Sequence, residues 1–101
     1  MNKGYFQIIS SNEHQLDIYV NLYNEIYPML YKFVCSIKDS LLTRSLREEI
    51  RNTLFGYMFV ASLKLERQFA KALLYHMITD IGLLLDSQSI MYYLLEVLQE
   101  D

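Results

Sequence analysis

From Leu16 to Leu98 the chain places an apolar residue every three or four positions and almost nowhere alternates with period two. That rhythm constrains the fold more than any other feature. Residues three and four apart share one face of an α-helix, whereas a strand needs every second residue. Four of these positions are tyrosines at steps of four: Tyr19, Tyr23, Tyr27 and Tyr31. Each step of four drifts by about 40° around a helix, so the rings form one slightly wrapping ridge. A phenol hides a large ring but keeps a hydroxyl that needs water or a partner. The ridge therefore suits the edge of a core or a contact surface with another protein.

The punctuation of the rhythm divides it into helices. Residues 1–9 read as a flexible arm and 10–101 as a single helical domain. Ser10-Ser11-Asn12-Glu13 fits a capping box, which opens a first helix over 11–38, and Leu16, Tyr19/Val20, Tyr23, Ile26/Tyr27, Leu30, Phe33/Val34, Ile37 and Leu41 follow on one stripe. Pro28 lies within that stripe and frees the carbonyl of Asn24, but the phase continues across it, which predicts a kinked helix rather than two; the alternative is a stop near Glu25 with a restart at Pro28. Ser45-Leu46-Arg47-Glu48 forms a second capping box. From there Leu46, Ile50, Leu54, Met58, Ala61, Leu65, Phe69, Leu73, Met77 and Ile81 keep phase, with no Gly or Pro between Gly56 and Gly82. This favours one long helix over 45–81; the alternative is a break near 64–71. Asp80-Ile81-Gly82-Leu83 reads as a helix exit with Gly82 in the left-handed position, and Asp86 or Ser87 as the cap of a short helix over 87–99. The fold class is all-α, an antiparallel bundle of three to four helices.

A chain of 101 residues has room for one small core. With 52% hydrophobic residues it is greasier than an average domain of that size, and self-association or a protein partner is the natural outlet for the excess. The net charge of −3 does not suggest a nucleic-acid binder overall. The charge is uneven, however. Two basic trios stand out, Arg44, Arg47, Arg51 and Lys64, Arg67, Lys71, while from Gly82 onward only Asp86, Glu96, Glu100 and Asp101 are charged. On one continuous helix the trios would lie about 200° apart. Each is a candidate phosphate-contacting stripe, and each has a glutamate, Glu48 or Glu66, to balance it. Cys35 is the lone cysteine and sits in Phe33-Val34-Cys35, which reads as core. Together with an N-terminus too interrupted for a signal peptide, it points to the cytoplasm. The longest uncharged apolar stretch, 53–63, is about half a membrane span.

Catalytic and cofactor motifs are not found in the sequence. His14 and His76 fall on different elements, and no spaced ligand set surrounds Cys35. His76 and Asp80 stand one turn apart and read as a helical surface pair. Three glycines cannot build a phosphate loop, and Glu48 and Glu49, being adjacent, diverge around a helix. The expectation is a protein that is not an enzyme and binds no metal or cofactor. Gly56 breaks helix propensity where Phe55 and Tyr57 flank it, which fits either a close approach by another backbone or ring, or a tolerated glycine.

Residues 63–100 carry a set of packing and capping residues: Leu73, Leu74 and Met77, Asp80-Ile81-Gly82-Leu83-Leu84, the Asp86/Ser87 cap, and Tyr92-Tyr93 with Leu94-Leu95-Glu96. Ile50-Arg51-Asn52 and Leu22-Tyr23 with Ile26-Tyr27 add to it. This stretch resembles a bacterial four-helix-bundle family. That family includes the proteins encoded in intervening sequences of large-subunit ribosomal RNA genes and the accessory variability protein of diversity-generating retroelements. The resemblance implies homo-oligomers, commonly ring-shaped pentamers, and for the retroelement member contact with nucleic acid and a reverse transcriptase. Three functions are therefore expected in competition. The first is a helical interaction protein that self-associates or docks through Tyr19, Tyr23, Tyr27 and Tyr31. The second is a nucleic-acid or reverse-transcriptase accessory protein. The third is a small phage-like inhibitor that uses its acidic end against a larger protein.

Overall fold

The structure, a computed structural model, describes residues 13–100. The N-terminal arm and the capping box at Ser10–Ser11 lie outside the described residues. Four helices follow one another: α1 Glu13–Ile37, α2 Arg44–Ser62, α3 Arg67–Leu84 and α4 Gln88–Gln99. The all-α reading holds, and the described residues contain no strand. α3 is the central element and packs against each of the other three helices, while α2 also packs against α4.

α1 runs unbroken through Pro28. Pro28 and Asn24 are both exposed, so the carbonyl that loses its helical donor is on the watered side of the helix. The core stripe of α1 is Tyr19, Leu22, Ile26, Leu30, Val34 and Ile37, each buried. Cys35 is one position off that stripe and is exposed, which corrects its reading as a core residue.

The long helix expected over 45–81 is two helices. α2 ends at Ser62, Leu63 N–H bonds back to Val60 O, and Glu66 takes an extended conformation (φ −58°, ψ 149°) whose carbonyl receives the amides of Phe69 and Ala70. The four-residue spacing survives because Leu65, inside the turn, is itself buried at 4% exposure and closes that end of the core. Ala61, Leu65 and Phe69 are thus all interior, and apolar phase alone cannot distinguish a turn from a further helical turn. With the helix divided, the separation of about 200° between the basic trios no longer applies.

The caps differ from the sequence expectation as well. α2 is capped by Thr43, whose Oγ1 accepts from Leu46 N–H at 3.2 Å, and Ser45 lies inside the helix. Gly82 is buried within α3 and has no positive φ; the left-handed residue is Asp86, at φ 50°. Asp86 N–H bonds to Leu83 O and Ser87 N–H to Gly82 O, the paired closure of a Schellman end with aspartate in the usual glycine position. Ser87 precedes α4, but its hydroxyl donates to Leu85 O rather than capping the new helix.

Gly82 has a different role from the one its position suggested. A Cβ there would stand 2.6 Å from Met91 Cβ and 2.7 Å from Met91 Cγ and Sδ. Its missing side chain is what lets α3 and α4 lie so close. The core between the helices is filled by Leu30, Ile50, Leu54, Leu73, Leu74 and Met77, all at 0% exposure, with no buried polar or charged residue among the described ones.

Candidate functional site

The tyrosine ridge is divided between the interior and the surface. The drift of about 40° per step carries it off the core stripe as α1 advances. Tyr19 is 4% exposed, and Tyr23, Tyr27 and Tyr31 are half-buried on the flank. Their rings stack in series, Tyr23 on Tyr27 at 5.3 Å and Tyr27 on Tyr31 at 6.1 Å between centroids. The first two phenols are used within the chain. Tyr19 O–H lies 3.1 Å from His76 Nδ1, and Tyr23 O–H donates to Asp80 Oδ2 at 2.6 Å. His76 Nε2 stands 3.2 Å from the same Asp80 oxygen. The geometry fits the tautomer in which Nε2–H points to Asp80 and Nδ1 accepts from Tyr19.

His76 and Asp80 are thus more than a surface pair. Sequence reading paired the two with each other and missed their link to α1. The signal was present: tyrosines at 19 and 23 and polar partners at 76 and 80 repeat the same step of four. That matched step also shows that α1 and α3 run in the same direction. Burial and the nearby Asp80 carboxylate push the Tyr19 phenol up to about 12. Burial and the hydrogen bond to Asp80 raise Tyr23 as well. Tyr31, at the outer end, is raised by its side-chain hydrogen bond with Cys35 one turn later. Cys35 therefore meets Tyr31 on the outer flank of α1, and the polar cluster is composed of Tyr19, Tyr23, His76 and Asp80.

The basic residues are brought together only in part. Arg44 and Arg47 lie in the first turn of α2, where the helix dipole disfavours a cation. Arg47 and Arg51 line an open cleft of about 500 Å³ between α2 and α4, with Tyr93, Glu96, Val97, Gln99 and Glu100 on the other wall. Arg51 Nη2 donates to Glu100 Oε1 at 3.0 Å, and its guanidinium sits 6.0 Å from the Phe55 ring centroid. The acidic end of the chain thus meets its first basic trio within the molecule. Arg67 and Lys71 border a second open cleft of about 560 Å³ with Glu66 and Gln68. Lys64 instead faces α1 across a narrow cleft of about 60 Å³ lined by Ile18, Asn21, Leu22 and Glu25. Both larger clefts mix carboxylates with the cations.

A further surface did not come from motif reading. On α2 the face opposite the buried Ile50, Leu54, Met58 and Ala61 carries Glu48, Glu49, Asn52, Gly56, Phe59, Val60 and then Leu63, all exposed. Phe59 is 64% exposed and Leu63 69%. A Cβ at Gly56 would meet nothing within 4 Å. The close approach that would explain this glycine is therefore not made among the described residues. Among the described residues no group of three or more His, Cys, Asp and Glu is placed to hold a metal, and no helix is long and apolar enough to cross a membrane. Comparison with protein-family models, with curated proteins and with solved structures gives no match.

Proposed function

We propose that this chain is a non-catalytic helical bundle that works by protein–protein contact, first of all with further copies of itself. One observation carries the reading: Phe59, Leu63, Leu83 and Leu84 are each 62–69% exposed, and Leu41 is 84% exposed. Exposed apolar side chains in this number on so small a domain mark contact surfaces. Tyr27 and Tyr31 add half-exposed rings along α1, whereas Tyr19 and Tyr23 serve the fold. The polar cluster at His76 and Asp80 supports the non-catalytic reading, because its atoms answer one another's hydrogen bonds across the α1–α3 seam. The exposed lone Cys35 suits a reducing compartment such as the cytoplasm. The resemblance to the ribosomal-RNA and retroelement bundle family carries the same expectation of homo-oligomers.

A nucleic-acid accessory role is the second reading, favoured by Arg67 and Lys71 at the open mouth of α3. It ranks below protein contact because Arg51 already holds Glu100, and Glu66 shares the cleft of Arg67 and Lys71. Phosphate would have to displace or tolerate those carboxylates. Sedimentation over about 5–500 µM tests the leading proposal. The expected outcome is a concentration-dependent rise in mass. That rise should be abolished by Phe59→Ser/Leu63→Ser/Leu83→Ser/Leu84→Ser with the helical signal retained. A strictly monomeric chain across the whole range removes the proposal.

A further inference from the structure

The aromatic ladder on α1 is continuous from the outer flank of the helix to the α1–α3 seam. Tyr31 lies on Tyr27 at 6.1 Å and Tyr27 on Tyr23 at 5.3 Å, with ring planes 24° and 18° from parallel. Tyr23 in turn meets the His76 ring at 5.1 Å, and His76 meets Tyr19 at 6.2 Å. Rings this close are in stacking contact. Electron transfer falls off steeply with distance, so a series of such contacts conducts far better than one long step. Phenols are also the most readily oxidised rings in this chain, which has nine tyrosines and no tryptophan. The half-buried Tyr27 makes no hydrogen bond through its hydroxyl among the described residues. A bare phenyl ring would stack there as well; what the hydroxyl adds is a proton that the ring can lose on oxidation. The inner end of the ladder is built differently. Tyr23 O–H donates to Asp80 Oδ2 at 2.6 Å, within the reach of proton transfer. Burial and this bond keep the phenol protonated, so its electron leaves together with its proton.

We propose that Tyr31, Tyr27 and Tyr23 relay a single oxidising equivalent, which enters at Tyr31 from a one-electron oxidant of the peroxyl-radical class and comes to rest as a neutral phenoxyl radical on Tyr23 beside Asp80. This role is separate from contact with other chains and does not depend on it. The peroxyl radical takes one electron and one proton from Tyr31 and leaves as a hydroperoxide. Tyr27 then gives an electron to the Tyr31 radical, and Tyr23 gives one to the Tyr27 radical. Tyr31 and Tyr27 are half-exposed and exchange their protons with water. Tyr23 releases its proton to Asp80, and the hydrogen bond between them persists with donor and acceptor exchanged. In sum, one peroxyl radical, one phenol, one carboxylate and one proton from water become a hydroperoxide, a phenoxyl radical and a carboxylic acid. The proton acceptor already in place at Tyr23 is what makes the inner ring the resting point.

The exposed Cys35 thiol, one turn beyond Tyr31, gives an entry point for the test. A ruthenium polypyridyl complex joined to that thiol in the full chain, and oxidised by flash and quench, delivers the oxidising equivalent beside Tyr31. Tyr23 lies about 18 Å from Cys35 along the axis, too far for rapid direct oxidation. Transient absorption follows phenoxyl formation, and high-field EPR of frozen samples reads the hydrogen bonding of the radical. The expected parent signal is a phenoxyl that accepts one strong hydrogen bond and that disappears in Tyr23→Phe. Tyr27→Phe keeps the ring and its packing, so a tyrosine with a purely structural role would tolerate it. The relay instead predicts that most of the Tyr23 signal is lost and the radical is held at Tyr31. Asp80→Asn keeps an acceptor for the hydroxyl but removes the base, and is expected to slow formation of the Tyr23 radical about 100-fold. If Tyr23→Phe or Asp80→Asn fails to fold, Tyr27→Phe decides alone. A parent radical that never passes Tyr31, or an inner signal that forms equally fast in Tyr27→Phe, overturns the relay. An undiminished rate in Asp80→Asn overturns the proton transfer and with it the resting point.

Discussion

Alanine at Gly82 and alanine at Gly56 are expected to move stability in opposite directions. Both positions are helical and neither has a positive φ, so each substitution gains about 1 kcal/mol of helix propensity. At Gly56 nothing lies within 4 Å of the new methyl, and the gain is kept. At Gly82 the methyl would sit 2.6–2.7 Å from three atoms of Met91. Comfortable carbon contacts are about 3.5–4.0 Å, so the overlap is near 1 Å on each. Overpacking of this kind costs about 1–3 kcal/mol. The upper end applies, because Met91 Cβ is fixed to the α4 backbone and cannot swing aside. The net loss is about 2 kcal/mol, a fall in Tm of about 8–15 °C for a domain of this size, against a rise of about 4–8 °C for Gly56→Ala. Thermal and urea unfolding followed by far-UV circular dichroism at about 5 µM, below any self-association, measures both. Truncating the methionine does not relieve the clash, since alanine keeps the Cβ. Gly82→Ala/Met91→Ala should therefore remain less stable than Met91→Ala alone. A Gly82→Ala chain as stable as the parent would refute the close α3–α4 approach on which this reasoning depends.

Three other outcomes follow from the same geometry. Because Tyr19 is raised to about 12 and Tyr23 is also raised, the unfolded chain releases these phenol protons first as pH climbs; their contribution is whole below about pH 10 and is lost toward pH 12 and above. Urea midpoints between pH 8 and 12 should fall accordingly, with a shallower fall in Tyr19→Phe and Tyr23→Phe, and a flat parent profile counts against the assignment. Leu74→Ala, at a fully buried core position, should cost about 2–5 kcal/mol in the same assay. Arg51→Ala should cost less than about 1 kcal/mol, because the pair with Glu100 is half exposed on both sides; a loss comparable with that of Leu74→Ala would show that the α2–α4 cleft is held by more than this ion pair.

Much of the fold was legible because burial and helical period coincide in this chain. The stripe Tyr19, Ile26, Leu30, Val34 and Ile37 identified the buried face of α1, although Leu22 is buried where Tyr23 was expected and Val20 and Leu41 are exposed. The α2–α3 turn was hidden for the same reason: Leu65 continues the spacing while serving as a plug inside the turn, and Glu66 turns the chain without glycine or proline. Glycine signals misled where chemistry outweighed propensity. Gly82 resembled a helix end but was selected by Met91, and Asp86 supplied the left-handed residue. Thr43 escaped notice as a cap because the third residue after it is Leu46, not the glutamate that completes a box; Ser45 and Glu48 offered the fuller pattern two residues later. At the site, the ridge itself was readable from the step of four, but which of its hydroxyls stayed at home depended on a helix 57 residues further along.

The matched spacing of Tyr19 and Tyr23 with His76 and Asp80 acts as a vernier between two co-directional helices. Inserting or deleting one residue between positions 19 and 23 would swing everything on one side of it by about 100° around α1, pulling one phenol from its acceptor whichever way the helix re-seats. Chains descended from a common ancestor with this one are thus expected to vary in length at 38–43, where the connection is exposed at Lys38 through Leu41, and to hold the length of 19–23 and 76–80 fixed.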